Sequence, residues 1–165
     1  MTTRLWIEIA HQAAYRTGGY AWVRQDGQGL AGAAGGARDL EAEALAALAL
    51  ASAVKDLPPG AAVALHLSEA ALIEGVREMG ARRNRGWADA GGAPLPGAEA
   101  WALAAQALAG RGLSLVRTKP AEARTAAGFA AAWAELARDK AKAQGTFQNA
   151  IPRPNLAKVP GLAKD

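Results

Sequence analysis

The hydrophobic period of this chain changes near Asp39, and that change separates a sheet-forming start from a remainder of mixed elements. Before it, Arg4–Ala10 sets Trp6, Glu8 and Ala10 on one side and Leu5, Ile7 and Ile9 on the other, the two-residue period of a strand. Gly18-Gly19 introduces a second strand, Tyr20–Arg24, and Asp26-Gly27 is a turn dipeptide at hairpin spacing. Gly29–Ala34 returns as a third strand, closed by Gly35-Gly36. Three strands joined by short turns make an antiparallel meander.

Beyond Asp39 the pattern is helical. Asp39 is the expected N-cap, Glu41 and Glu43 favour the positive end of the helix dipole, and the helix should run to about Lys55. Pro58-Pro59-Gly60 stops it. Ala61–Leu67 is apolar apart from His66, as expected of a central strand covered on both faces, with His66 a buried histidine. Ser68 is the expected N-cap of a helix over Glu69–Met79. A basic cluster, Arg82-Arg83-Asn84-Arg85, ends in Gly86-Trp87. A Gly/Pro-rich loop, a helix over Ala98–Ala109, a strand over Leu113–Thr118 and a helix over Ala126–Ala143 follow. Past Gln144 prolines recur and exclude a sustained helix, so an extended tail is expected. The reading is an α/β domain over residues 1–143, with a five-stranded mixed sheet (the three-strand meander plus two further strands) flanked by helices, and a basic, Pro-containing tail over 144–165.

Composition narrows the chemistry. The chain has 165 residues and no cysteine, which removes disulfides and thiolate zinc sites, and its two histidines make a histidine-rich metal site a poor expectation. It has no apolar run long enough for a membrane span and no secretory-signal layout at Met1–Arg4, so a cytoplasmic protein is expected. The formal charge of +4 is confined to residues 138–165, where six Lys/Arg face Asp139 and Asp165. A high pI here describes the C-terminal end and not the body of the chain.

The element order, with several local runs, resembles ribonuclease H of type 1. Gly18-Gly19-Tyr20 is similar to the glycine-glycine-aromatic opening of that family's second strand, and Glu43–Leu48 to its glutamate-led first helix. Arg82–Trp87 resembles the basic handle that some members use to grip an RNA–DNA hybrid. Glu99-Ala100-Trp101 resembles the start of the next helix, and Ala134–Arg138 the family's closing Asp-Glu-Leu-Ala-Arg.

The resemblance implies a ribonuclease H-like fold and four carboxylates converging on two magnesium ions. Carried over position by position, the first-helix acid falls on Glu43. The strand-four aspartate falls on Ser68 and the last-helix aspartate on Ala134. The strand-one aspartate falls on Glu8 by gapless counting from Gly18, or on Gln12 by alignment of the strand itself. Glu8 and Glu43 are thus the residual catalytic positions, and no metal site is expected.

Glu8 has a second reading as a solvated residue on an open sheet face, and Glu43 as a partly buried acid with a local partner. A relocated site would have to use Glu69 and Glu135, each one residue past a lost acid, although one residue turns a helical side chain by about 100°.

These residues imply a non-catalytic nucleic-acid-binding module, for hybrid or duplex or a nucleoprotein partner, using Arg82, Arg83, Arg85 and Trp87 with the basic tail. Trp87 and Trp101 also read as core aromatics beside helix starts. Two other functions fit: a divergent nuclease requiring magnesium or manganese and using Glu8, Glu43, Glu69 and Glu135, and a protein–protein adaptor. In the adaptor, Phe147, Ile151, Leu156, Val159 and Leu162 of the tail would dock on a partner, unless they pack back on the chain's own body or on a second copy. No cofactor is expected outside the nuclease reading, and no membrane.

Overall fold

The structure is a computed structural model that describes residues 2–120, 122 and 124–162. Among them a single six-stranded sheet forms. β1 (Thr2–Gln12), β2 (Thr17–Asp26) and β3 (Gly29–Arg38) are the antiparallel meander, with Glu8 opposite Ala21 and Gly19 opposite Gly36. β4 (Ala62–Leu67) lies parallel to β1, and β5 (Leu113–Arg117) parallel to β4. The strand order is β5-β4-β1-β2-β3-β6.

The sixth strand corrects the expected five. β6 (Phe147–Ala150) pairs antiparallel with β3 and is followed by the short helix α6 (Arg153–Leu156). The segment expected as an extended tail therefore covers a sheet edge. Ile151, Leu156 and Val159 are buried, and Phe147 and Leu162 pack against the same cluster. These apolar residues satisfy their hydrophobic surface on the chain's own body, which removes them from a docking role. Gln148 of β6 accepts a 2.7 Å hydrogen bond from the Tyr20 hydroxyl of β2.

The alternation read from β1 sorts the two faces. Leu5, Ile7 and Ile9 enter one core with α1 (Ala42–Val54), α2 (Ala70–Arg77) and α4 (Ala98–Leu108). Trp6 and Ala21 enter the other, beneath α5 (Ala126–Gln144). Trp101 is buried at the heart of the first core. Gly75 of α2 packs against its ring so closely that an added Cβ would overlap it.

The second core is built from small residues. A Cβ on Gly19 would collide with the α5 backbone at Ala134 and Arg138, and one on Gly36 would lie 2.7 Å from the Ala141 Cβ. Ala134, Ala137 and Ala141 recur at helical spacing on the face of α5 that meets β2 and β3, and all three are buried. The helix backbone thus rests almost directly on the sheet. At its far end the Arg38 side chain donates to the Ala141 carbonyl, which also accepts the Gly145 amide, and to the Lys142 carbonyl in the last turn.

Two expected caps move. Asp39 sits at φ 58° in the left-handed region, and Glu41 is the N-cap of α1. Short polar residues such as aspartate tolerate that conformation, so Asp39 serves the turn and not the helix. Ser68 is not the N-cap of α2, a role taken by Glu69. The serine hydroxyl is committed elsewhere.

Candidate functional site

β1, β4 and β5 run parallel, and their carboxyl ends lie side by side. In open α/β sheets, ligands bind beyond that edge. Glu8 is on β1 near this end, Ser68 immediately follows β4, and Thr118 immediately follows β5. The Thr118 amide donates to the Leu67 carbonyl at 3.0 Å and so fixes the two strand ends together.

Glu8 is only 1% exposed, which overturns the expectation of a solvated residue on an open face. Strand alternation assigns it to the side of Trp6 and Ala10, but the covering of that side comes from α5, more than a hundred residues away in sequence. The Ser68 hydroxyl donates a 2.6 Å hydrogen bond to Glu8 Oε2, while Oε1 has no hydrogen-bond partner. Thr118 Oγ1 is buried and also unpartnered, close to the carboxyl without closing a formed hydrogen bond. Burial pushes the Glu8 carboxyl up to about 7, with the negative charge of Glu69 acting in the same direction and the Ser68 and Thr118 hydroxyls opposing both.

The other expected positions differ in their surroundings. Glu43 is an exposed residue in the first turn of α1, with no ion-pair partner among the described residues, so it is not the partly buried acid with a local partner. Ala134 is fully buried in the third turn of α5, against Gly19, where a carboxylate would have no space and no partner. Gln12 ends β1 opposite Thr17. Glu135 is exposed, whereas Glu69 lies near enough to Glu8 for their charges to interact.

A pair of divalent cations requires a dense carboxylate set. Among the described residues no group of three or more His, Cys, Asp or Glu could hold a metal ion. At the strand ends the available donors are the Glu8 carboxyl, partly protonated near neutrality, two hydroxyls and the nearby Glu69 carboxylate, fewer than the four carboxylates of a two-metal set. Magnesium takes oxygen ligands, but neutral hydroxyls do not offset its charge. The donor set does not fit two metal ions.

The basic cluster divides. Arg82 is mostly buried and pairs with Glu78 at 3.1 Å and Glu74 at 3.9 Å, so its charge is used within the chain. Arg83 and Arg85 are exposed at the end of α3 (Met79–Asn84). Trp87 is half-buried against the first core at φ 60°, its amide donating to the Arg82 carbonyl and its carbonyl accepting from Leu95. Its ring supports the connector more than it offers a stacking face. Of the basic residues at the C-terminal end, Lys140 lies over the Phe147 ring and Lys142 over Tyr15, Arg153 and Lys158 are exposed, and Lys164 lies outside the described residues.

His66 is half-buried and stacks on Trp6 with ring centroids 4.5 Å apart. Burial, then the Arg4 guanidinium, lowers its pKa. A neutral imidazole beside an indole is a packing arrangement, but His66 stands on the less covered face of β4 and not in the core, which corrects its reading as a buried histidine. Sequence reasoning missed Thr118, whose place in the cluster follows only from the adjacency of β4 and β5.

The six-stranded order with β4 between β1 and β5 has clear structural counterparts. A foamy viral protease-reverse transcriptase in complex with an RNA/DNA hybrid superposes with a TM-score of 0.63 at 14% identity, over 84% of this chain and 20% of the viral one. LC9-RNase H1, described as a type 1 RNase H with the type 2 active-site motif, gives 0.62 at 14% identity, over 94% and 79%. RNase H1 from the halophilic archaeon Halobacterium salinarum gives 0.57 at 17% identity, over 85% and 99%. The fold is ribonuclease H-like. The chain spans about a fifth of the viral protein. No protein-family model and no curated protein matches the sequence. No helix among the described residues is long and apolar enough to cross a membrane.

Proposed function

We propose that this chain binds nucleic acid, an RNA–DNA hybrid or a duplex, without cleaving it. The observation that carries the reading is the state of Glu8: a buried carboxyl held by a serine hydroxyl and poised near neutrality, in a cluster that lacks the charge to retain two metal ions. The fold supports the nucleic-acid half, since a structural counterpart is described in complex with an RNA/DNA hybrid and another in complex with double-stranded DNA. Arg83 and Arg85 supply exposed guanidinium groups, which suit phosphate oxygens geometrically.

The test is a labelled hybrid incubated with the protein in magnesium and in manganese, read both by anisotropy and on a denaturing gel. The expected result is binding that weakens steeply with salt and no cleavage. Cleavage lost on Glu8→Gln would overturn the proposal.

One observation favours the second reading, a divergent nuclease: Glu69 lies near enough to Glu8 to raise its pKa. In that case Glu8 and Glu69 would be the ligands, and Glu69→Gln would abolish manganese-dependent cleavage. The adaptor reading gains no support from the apolar residues of the C-terminal segment, because they are consumed in the chain's own core.

A further inference from the structure

Several arginines of this chain are spoken for: Arg16 by Glu41, Arg38 by the end of α5, Arg82 by two glutamates, and Arg111 by the Pro58 and Ala61 carbonyls. Arg77 and Arg117 are not. Neither has an ion pair or side-chain hydrogen bond among the described residues, and both line the same open cleft of about 380 Å³. The cleft lies between the ends of β4 and β5 and helix α2, with Ser68, Ile73, Glu74 and Glu78 completing its wall.

The fold explains why the two arginines line one cleft. β4 and β5 are in parallel register with Leu67 opposite Arg117, so Arg117 lies at the strand end beside Ser68. Arg77 is the last residue of α2, the helix that follows Ser68. The two acids on the wall do not neutralise the pair, because both are engaged by Arg82. Arg77 and Arg117 are thus the unpaired guanidinium-bearing residues of the cleft. Each guanidinium carries five N–H donors in a planar fork and can bind a phosphate through two of them at once. Ser68 already donates its hydrogen bond to Glu8, so the arginines carry the binding.

We propose that this cleft is a phosphate site held by Arg77 and Arg117, and that it takes a backbone phosphate of the bound nucleic acid. The source of the phosphate rests on the function proposed above; the chemistry of the cleft does not.

The experiment titrates the full chain with inorganic phosphate, following the arginine Nε–H resonances, and separately with a labelled hybrid over a range of salt. Both titrations are repeated on the Arg77→Gln/Arg117→Gln variant. In the wild type, phosphate should shift the Arg77 and Arg117 signals and leave those of Arg16 and Arg111 in place. The variant should lose phosphate binding and bind the hybrid about tenfold more weakly, with a salt slope shallower by about 0.9 for each phosphate it no longer neutralises.

Absence of phosphate-dependent shifts at both arginines, or a variant that binds the hybrid with unchanged affinity and slope, would overturn the assignment to the nucleic-acid backbone. If the wild type binds no nucleic acid yet phosphate shifts both signals, the nucleic-acid function fails and the cleft stands as a site for free phosphate. The wild-type shifts read the site directly, whether or not the double variant folds.

Discussion

Two regions of the sheet face beneath α5 are built in opposite ways. Toward β3, Gly19 and Gly36 let the helix backbone settle on the sheet with nothing polar between them. Toward β4, the sheet buries Glu8 beside the half-buried Ser68 and Thr118, with two shielded polar atoms left unpaired. The first region gains from close packing, where even one extra methyl has nowhere to go. The second carries a desolvation cost that packing must offset. A fold that tolerates such a cost at one strand end, while minimising it a few residues away, has its candidate site at the costly end.

The largest expected effect comes from breaking the packed side. Gly19→Val would drive α5 off the sheet and should destabilise the chain by about 3 kcal/mol or more in urea denaturation, because the clash is with helix backbone and no rotamer relieves it.

The polar side should respond to pH. Glu8 has its folded pKa raised from 4.5 to about 7, so the folded state binds the extra proton between those values. Its contribution to stability is therefore full below about pH 4.5, falls as pH rises and is gone above about 7. The loss is at most about 3 kcal/mol. Denaturation midpoints at pH 5 and 8 should differ in wild type and converge in Glu8→Gln; a wild type whose stability is flat across that window would refute the buried-carboxyl assignment.

Thr118→Val should be the mildest change. Removing an unpaired buried hydroxyl while keeping its shape should be neutral or stabilising by up to about 1 kcal/mol at pH 5. It should also move the Glu8 titration further up, since that hydroxyl favours the charged carboxyl. A downward movement, followed by carboxyl NMR, would show that Thr118 does not act on Glu8.

Much of the fold was legible because it is written in short-range periodicity. The alternation of Leu5, Ile7 and Ile9 against Trp6, Glu8 and Ala10 set the two faces, and the break at Asp39 set the change from strands to helices. The pairing of Glu8 with Ser68 was foreshadowed by the resemblance, which put both at one site. Burial of Glu8 was not, because alternation assigns a side without saying what covers it. β6 was hidden for the same reason: Phe147–Ala150 has little strand character alone and becomes a strand on meeting the open edge of β3. Arg77 and Arg117 carry no signal in sequence, since neither belongs to a charge run and their place in one cleft depends on the register of β4 with β5.

That late strand has a consequence for biosynthesis. Until the chain is made past Ala150, the outer edge of β3 has its amides and carbonyls open from Ala33 to Gly36, in a stretch whose side chains are too small to shield it. A chain terminated before Phe147 would carry a nearly finished sheet that can still recruit a strand from a neighbour, so loss of the final segment should favour aggregation over folding.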